Sequence, residues 1–255
     1  MHISEYQNIY TQEASHFYYS ANHEIVLSLL RRYTPDGGPQ GLLRGESKLK
    51  ILDAGCGTGL LAKKLGKYGD VVGLDLSDDA LSFARKRGVK VKKGSISMLP
   101  FKTNEFDVLI SIDVINHLWV KDELKAFREF YRVLKPGGLL IMRVSANPWL
   151  RLKHDEHVLI SHRYSKDELK RSLNKAKFKI LKLSFVNLIL LPPAALISLL
   201  ERLIPGPEKR SGVGKNPVPV NWLLKTGLGW EKYYLKYADL PLGLGLIAVG
   251  RKPLS

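Results

Sequence analysis

Cysteine is almost absent from the chain: Cys56 is the single one in 255 residues. That excludes an intrachain disulfide framework and leaves a cysteine-based zinc site within one chain untenable. The first twenty residues, MHISEYQNIYTQEASHFYYS, lack an apolar core behind a basic stretch. They do not form a signal peptide, and the expectation is a cytoplasmic protein. No low-complexity tract and no internal repeat is visible. Acidic residues are scarce beside basic ones, 24 Asp+Glu against 40 Lys+Arg, for a formal net charge of +16. Such an excess concentrates anions near the surface, whether nucleic acid, lipid headgroups or phosphorylated metabolites. The basic residues are nevertheless dispersed. Lys63, Lys64, Lys67, Arg85, Lys86 and Arg87 fall where solvent-facing helices and turns are expected. A solvated lysine-rich surface and a partner-binding one both fit that distribution.

What is present is a regular alternation. Lys50–Asp53, Val71–Asp75, Val89–Lys92, Phe106–Ile112 and Leu139–Val144 read as strands. Between them Gly59–Lys67, Ser77–Arg87 and Lys121–Leu134 read as helices, the last stopped by Lys135-Pro136-Gly137-Gly138. Asp78 and Asp79 at the start of the second of these, with basic residues at its end, suit the helix dipole. This rhythm predicts an α/β fold with a parallel sheet covered on both faces. Upstream, Ala14–Tyr33 has the pattern of one or two amphipathic helices, followed by a Pro/Gly loop at Thr34–Pro39. Downstream, Ser165–Lys175 is a serine-capped helix, and Phe178–Phe185 and Leu244–Arg251 are strands. The stretch 186–240 between those strands reads as an irregular insertion. Leu183–Leu200 carries no charge and grazes the lower length of a membrane span. Pro192, Pro193 and Asn187 argue against spanning. A buried cap or dimer element remains open, as does an apolar surface facing substrate or membrane.

The chemistry concentrates in ILDAGCGTG, residues 51–59. Gly55, Gly57 and Gly59 sit between a strand and a helix, where glycine permits a tight turn and close approach of a ligand to the backbone. The dinucleotide fingerprint G-x-G-x-x-G is not met, because position 60 is leucine. Asp53 precedes the first glycine by two residues, and Asp75 closes the second strand 16 residues after Gly59. A carboxylate at such a strand end points into the crevice where α/β sheets bind ligands. The run 53–59, with Asp75, FDVLISIDVINHL at 106–118 and FREFYRVLKPGGLLIM at 127–142, resembles the class I S-adenosylmethionine-dependent methyltransferases.

That resemblance implies a doubly wound, Rossmann-like sheet of seven mainly parallel strands with helices on both faces. It divides the chain into an N-terminal helical lid (1–47), a cofactor-binding core (48–185), a cap insertion (186–240) and a final core strand (241–255). It implies S-adenosyl-L-methionine as cofactor, bound by Asp53, Ala54, Gly55, Cys56, Gly57 and Gly59, with Asp75 on the ribose and Leu76 against adenine. Ser95 stands where the family usually has aspartate, and Ile96 follows it. Ser111–Asn116, including Asp113, would line the methionine side. Glu13-x-x-His16-Phe17-Tyr18-Tyr19 with Asn22 is similar to one subgroup's lid segment, which sets Tyr19 over the cofactor. Asp155–Leu169 is similar to that subgroup's border of the acceptor pocket.

Methyl transfer needs a positioned nucleophile and, for some acceptors, a base. His117, just past the fourth strand, is the first candidate, with His157 and His16 as others. His154, His157 and His162 near Asp155 and Glu156 do not have H-E-x-x-H spacing, so no metal is expected. Three functions stay open: methylation of O or N on a small-molecule or lipid- or glycan-linked acceptor, methylation of tRNA or rRNA, and a cofactor-binding regulator without catalysis. Against the second, neither an N-P-P-Y-type run nor paired cysteines are present. Peripheral membrane contact fits the first.

Overall fold

The first strand explains the architecture. In β1 (Leu49–Ala54), Ile51 and Leu52 are both fully buried although adjacent side chains point to opposite faces. Ile51 joins a core with Ile25, Leu29, Leu61 and Leu65, and Leu52 joins another with Phe127, Phe130, Leu169 and Leu173. A strand covered on both faces carries adjacent apolar residues, as Ile51-Leu52 do here between Lys50 and Asp53. The computed structural model describes residues 3–34, 48–150, 152–204 and 217–254, without the side chains of His154 and His157. Of the loop expected at Thr34–Pro39, only Thr34 lies within these.

Along the chain follow α1 (Ile3–Gln12), α2 (Phe17–Tyr33), β1, α3 (Leu60–Leu65), β2 (Gly69–Asp75), α4 (Asp78–Lys86), β3 (Lys90–Lys93), β4 (Phe106–Ile112) and α5 (Glu123–Val133). Then come β5 (Leu134–Ser145), α6 (Lys153–His157), α7 (Lys166–Lys175), β6 (Lys179–Val186), α8 (Leu191–Leu203), α9 (Val218–Gly229), α10 (Glu231–Tyr234) and β7 (Gly245–Arg251). The seven strands form one sheet in the order β3-β2-β1-β4-β5-β7-β6. Only β7 runs against its neighbours. The order reverses between β1 and β4, which opens a crevice beyond their C-terminal ends. β5 starts five residues before the expected Leu139, at Leu134. Its register with β4 is irregular around the Pro-Gly-Gly turn and regular from Leu139 on.

Two regions differ from the sequence reading. The N-terminus is two helices with a break at 13–16, and the first begins well before Ala14. α1 packs on α4, with Tyr6 against Ala80 and Phe83 and the Tyr10 ring 5.0 Å from that of Phe83. The region 186–240 is not irregular where it is described: it holds α8, α9 and α10. Pro192 and Pro193 lie in the first turn of α8, where a missing N–H has no intrahelical partner to lose. α8 buries only the stripe Leu191, Ala194 and Ser198, whereas Leu183, Ser184 and Val186 of the same uncharged run are buried in β6. No described helix is long and apolar enough to cross a membrane.

Candidate active site

The glycine loop is held by the sheet. The backbone N–H groups of Gly55 and Cys56 both donate to the Leu74 carbonyl of β2, at 2.7 and 2.9 Å. A Cβ on Gly55 would lie 2.1 Å from the Val114 side chain, so only glycine fits beneath the loop after β4. Gly57, at φ +53°, has open space where a Cβ would be, and its backbone faces the cleft. Gly59 serves packing instead. Its hypothetical Cβ would strike Ala84 of α4 at 2.8 Å, and neither Gly59 nor the buried Ala54 lines the cleft. Cys56 packs against Leu81 and Ala84, and burial pushes its thiol pKa up, so it is no nucleophile.

Two carboxylates stand at the mouth of the sheet. Asp75 accepts from the N–H of Gly57 at 2.9 Å and of Ser77 at 3.0 Å, which fixes its orientation. Asp53 is the less satisfied of the two. It is 2% exposed, and its Oδ2 has no hydrogen-bond partner. Burial, with the charge of Asp75 second, raises its pKa to about 7. A buried carboxyl beside another carboxylate is a receptor for positive charge.

Beyond β4 the chain turns through Asp113, at φ +55°. Its Oδ2 is ion-paired with Arg143 of β5, whose guanidinium also donates to Asn187 Oδ1 at 2.8 Å and lies 5.1 Å from the Tyr18 ring centre. Asn187 in turn donates its N–H to the fully buried Glu231 of α10 at 2.7 Å. Arg143 was not foreseen. Its signal was an arginine inside the apolar run LLIMRV, where a charge is buried only with a partner. Ser111 and Asn116 are buried away from the cleft, whereas Asp113, Val114 and His117 line it. His117 Nδ1 lies 3.2 Å from the Leu159 carbonyl. A carbonyl only accepts, so Nδ1 carries the proton and Nε2 keeps the lone pair. The ring stacks on Trp119 at 4.7 Å, and burial lowers its pKa, leaving the imidazole neutral at pH 7.

The N-terminal helices are latched to the glycine loop. Glu13 is buried, accepts from Thr58 Oγ1 at 2.7 Å and is ion-paired with Arg87. His16 caps α2, its Nδ1 accepting from the Tyr18 N–H at 3.3 Å, and burial lowers its pKa. It is a structural cap at the cleft wall. Tyr19 also lines the cleft, as do Ser95, Ile96 and the half-exposed Leu76. Ser95 Oγ accepts from the Ser97 N–H at 3.2 Å. His157 ends α6, and its side chain lies outside the described residues. Among the described residues no group of histidine, cysteine and carboxylates is arranged to hold a metal. Asp155 pairs with Arg163 at 2.7 Å, and His162 with Glu123 at 3.0 Å. The whole cleft has a volume of about 450 Å³, within the range of small-molecule sites.

Residues 52–142 match the family model described as a methyltransferase domain. Within that segment, which runs from β1 to β5, the chain carries a methyltransferase domain of the S-adenosylmethionine-dependent superfamily. Over 112 residues it is 38% identical to the demethylmenaquinone methyltransferase of Staphylococcus aureus, covering 40% of this chain and 45% of that one. The chain therefore spans less than half the length of the curated relatives it matches. Among solved structures, an S-adenosylmethionine-dependent methyltransferase of Thermotoga maritima superposes with a TM-score of 0.54 at 21% identity, covering 98% of this chain and 96% of that one. The phosphoethanolamine N-methyltransferase 2 of Haemonchus contortus, crystallised with S-adenosyl-L-methionine, gives 0.57 at 21% identity, covering 89% and 52%. At that identity the likeness shows the shared fold. The superfamily's cofactor is S-adenosyl-L-methionine. It carries a sulfonium and an ammonium group, and the orphaned Asp53 oxygen fits such a cation. Open space over Gly57 fits a close ligand.

Proposed function

We propose that this methyltransferase uses S-adenosyl-L-methionine to methylate O or N of a small, largely apolar acceptor, free or lipid-linked. The supporting observation is the apolar share of the cleft wall. Leu152, Val158, Ile160, Leu190 and Leu244 line it, and the two arginines there, Arg143 and Arg163, are each matched by a carboxylate. An apolar wall with neutralised charges suits an uncharged acceptor better than a phosphate-bearing one. The relative named for demethylmenaquinone agrees with a small-molecule acceptor.

Each cofactor-facing residue has a defined task in this reading. The Asp75 carboxylate accepts from the ribose hydroxyls, Asp53 faces the cationic methionine end, and Leu76 and Ile96 flank the adenine. Ser95 offers a neutral hydroxyl near the base, a weaker partner than a carboxylate. Tyr19 and the lid helices exclude water. Asp113 holds Arg143 and shapes the methionine side. When bound, the cofactor supplies a methyl carbon already activated by positive sulfur. His117 Nε2 takes the proton from the acceptor's O–H or N–H, a task its neutral state permits.

The test is incubation of the purified protein with methyl-labelled S-adenosyl-L-methionine and fractionated cell extract. Label is expected in the organic-soluble or small-molecule fraction, reduced about 10²–10⁴-fold by His117→Ala. Label in RNA would overturn the acceptor class. Binding of the cofactor with no label anywhere would favour a non-catalytic binder.

A further inference from the structure

The insertion leaves two helices whose exposed apolar side chains the proposed reaction does not use. On α8, Leu196, Leu199, Leu200 and Leu203 are between 45% and 68% exposed, around a helix whose only ionisable side chains are Glu201 and Arg202. On α9, Val218 is 83% exposed and Trp222 and Leu223 are each 64% exposed, and the helix carries one ionisable side chain, Lys225. Both helices meet the short turn Leu188–Leu190, α9 so closely that a Cβ on Gly227 would lie 3.1 Å from Ile189. Tyr233 and Tyr237, 60% and 85% exposed, follow α9, with Lys232 and Lys236 beside them. Solvent-exposed leucine and tryptophan in this number mark a docking surface, not an ordinary one.

We infer that the α8–α9 face docks onto an anionic lipid surface, with the leucines and Trp222 entering the headgroup boundary. Charge decides between occupants. A second copy would bring its own net +16 and set Lys225 and its neighbours against like charges. An anionic leaflet attracts that excess and accepts the leucines. Tryptophan and tyrosine rings favour the same interfacial depth. α8 has 13 residues, too few to span, so it lies on the surface.

The docking face also adjoins the cleft. Leu190 lines the cleft and directly precedes α8, whose first residue, Leu191, packs with Leu150, Leu152 and Leu244. A lipophilic acceptor would thus have a short path from bilayer to cleft. The inference does not depend on that acceptor: docking would stand even if the acceptor proved water-soluble.

The experiment is co-sedimentation of the full chain with vesicles of phosphatidylglycerol and phosphatidylcholine, against vesicles of phosphatidylcholine alone. Partition is expected with the anionic vesicles, weakened by salt. Leu199→Glu, Leu203→Glu and Trp222→Glu should each reduce it about tenfold or more. The Gln versions serve wherever a Glu variant fails to fold. An unchanged melting curve and unchanged S-adenosylhomocysteine binding establish that a variant is intact. Three results would overturn the inference: no partition of the wild type, partition that survives all three substitutions in folded protein, or a dimer in light scattering that the same substitutions dissolve.

Discussion

At the scale of the residue, Asp53 carries the clearest consequence. Its folded pKa is raised to about 7, against an ordinary carboxyl near 4 in the unfolded chain. Between those values the folded state holds a proton that the unfolded state has lost, so stability falls as pH rises through roughly 4 to 7. Removing the charge reverses this. Asp53→Asn is expected to raise the melting midpoint of the ligand-free protein at pH 8 by several degrees, with little gain at pH 4. The same substitution should weaken S-adenosyl-L-methionine binding, because a cationic ligand prefers the ionised carboxylate. Wild-type binding near pH 6 should release close to one proton, measured by calorimetry in buffers of different ionisation enthalpy. No proton release, with no stabilisation by Asn, would show that Asp53 is already ionised and paired.

At the scale of the element, the placement of the N-terminal helices depends on a few side chains. α1 has little apolar surface of its own, and Glu13 ties its end to Thr58 of the glycine loop and to Arg87 after α4. Arg87 further donates to the Tyr10 carbonyl at 2.7 Å and lies 4.3 Å from the centre of its ring. Removing one partner of a buried pair leaves the other uncompensated, at a cost of about 3–5 kcal/mol. Glu13→Ala is therefore expected to speed amide exchange in Ile3–Gln12 while β1, β4 and β5 keep their protection. Unchanged exchange in α1 would mean that the latch is not what holds it. Nothing local in ISEYQNIYTQ announces this helix. Its packing partners lie on α4, about 70 residues away, so the sequence pattern began it too late. The opposite error arose at α8, where Pro-Pro reads as a breaker yet opens the helix.

At the scale of the whole molecule, legibility followed chain distance. The core sheet was readable because parallel strands buried on both faces leave continuous apolar runs, from Ile51-Leu52 to Leu139–Val144. The glycine loop and Asp75 were readable because both sit at the ends of adjacent strands β1 and β2. The rest of the cleft lining was not. Arg143, Ile160, Leu190 and Leu244 come together only because β7 pairs with both β5 and β6 and the insertion folds back over them. His117 was named from its position after β4, but its tautomer is set by Leu159, 42 residues on.

In the proposed reaction this cleft holds S-adenosyl-L-methionine, with Asp75 on its ribose. Calorimetric titration of the wild type and Asp75→Ala tests it directly. Losing the charge-assisted bonds should cost about 1.5–3 kcal/mol, a weakening of roughly 10- to 150-fold, in a variant that still unfolds cooperatively. Equal affinity in the two proteins, or no binding by the wild type, would contradict it.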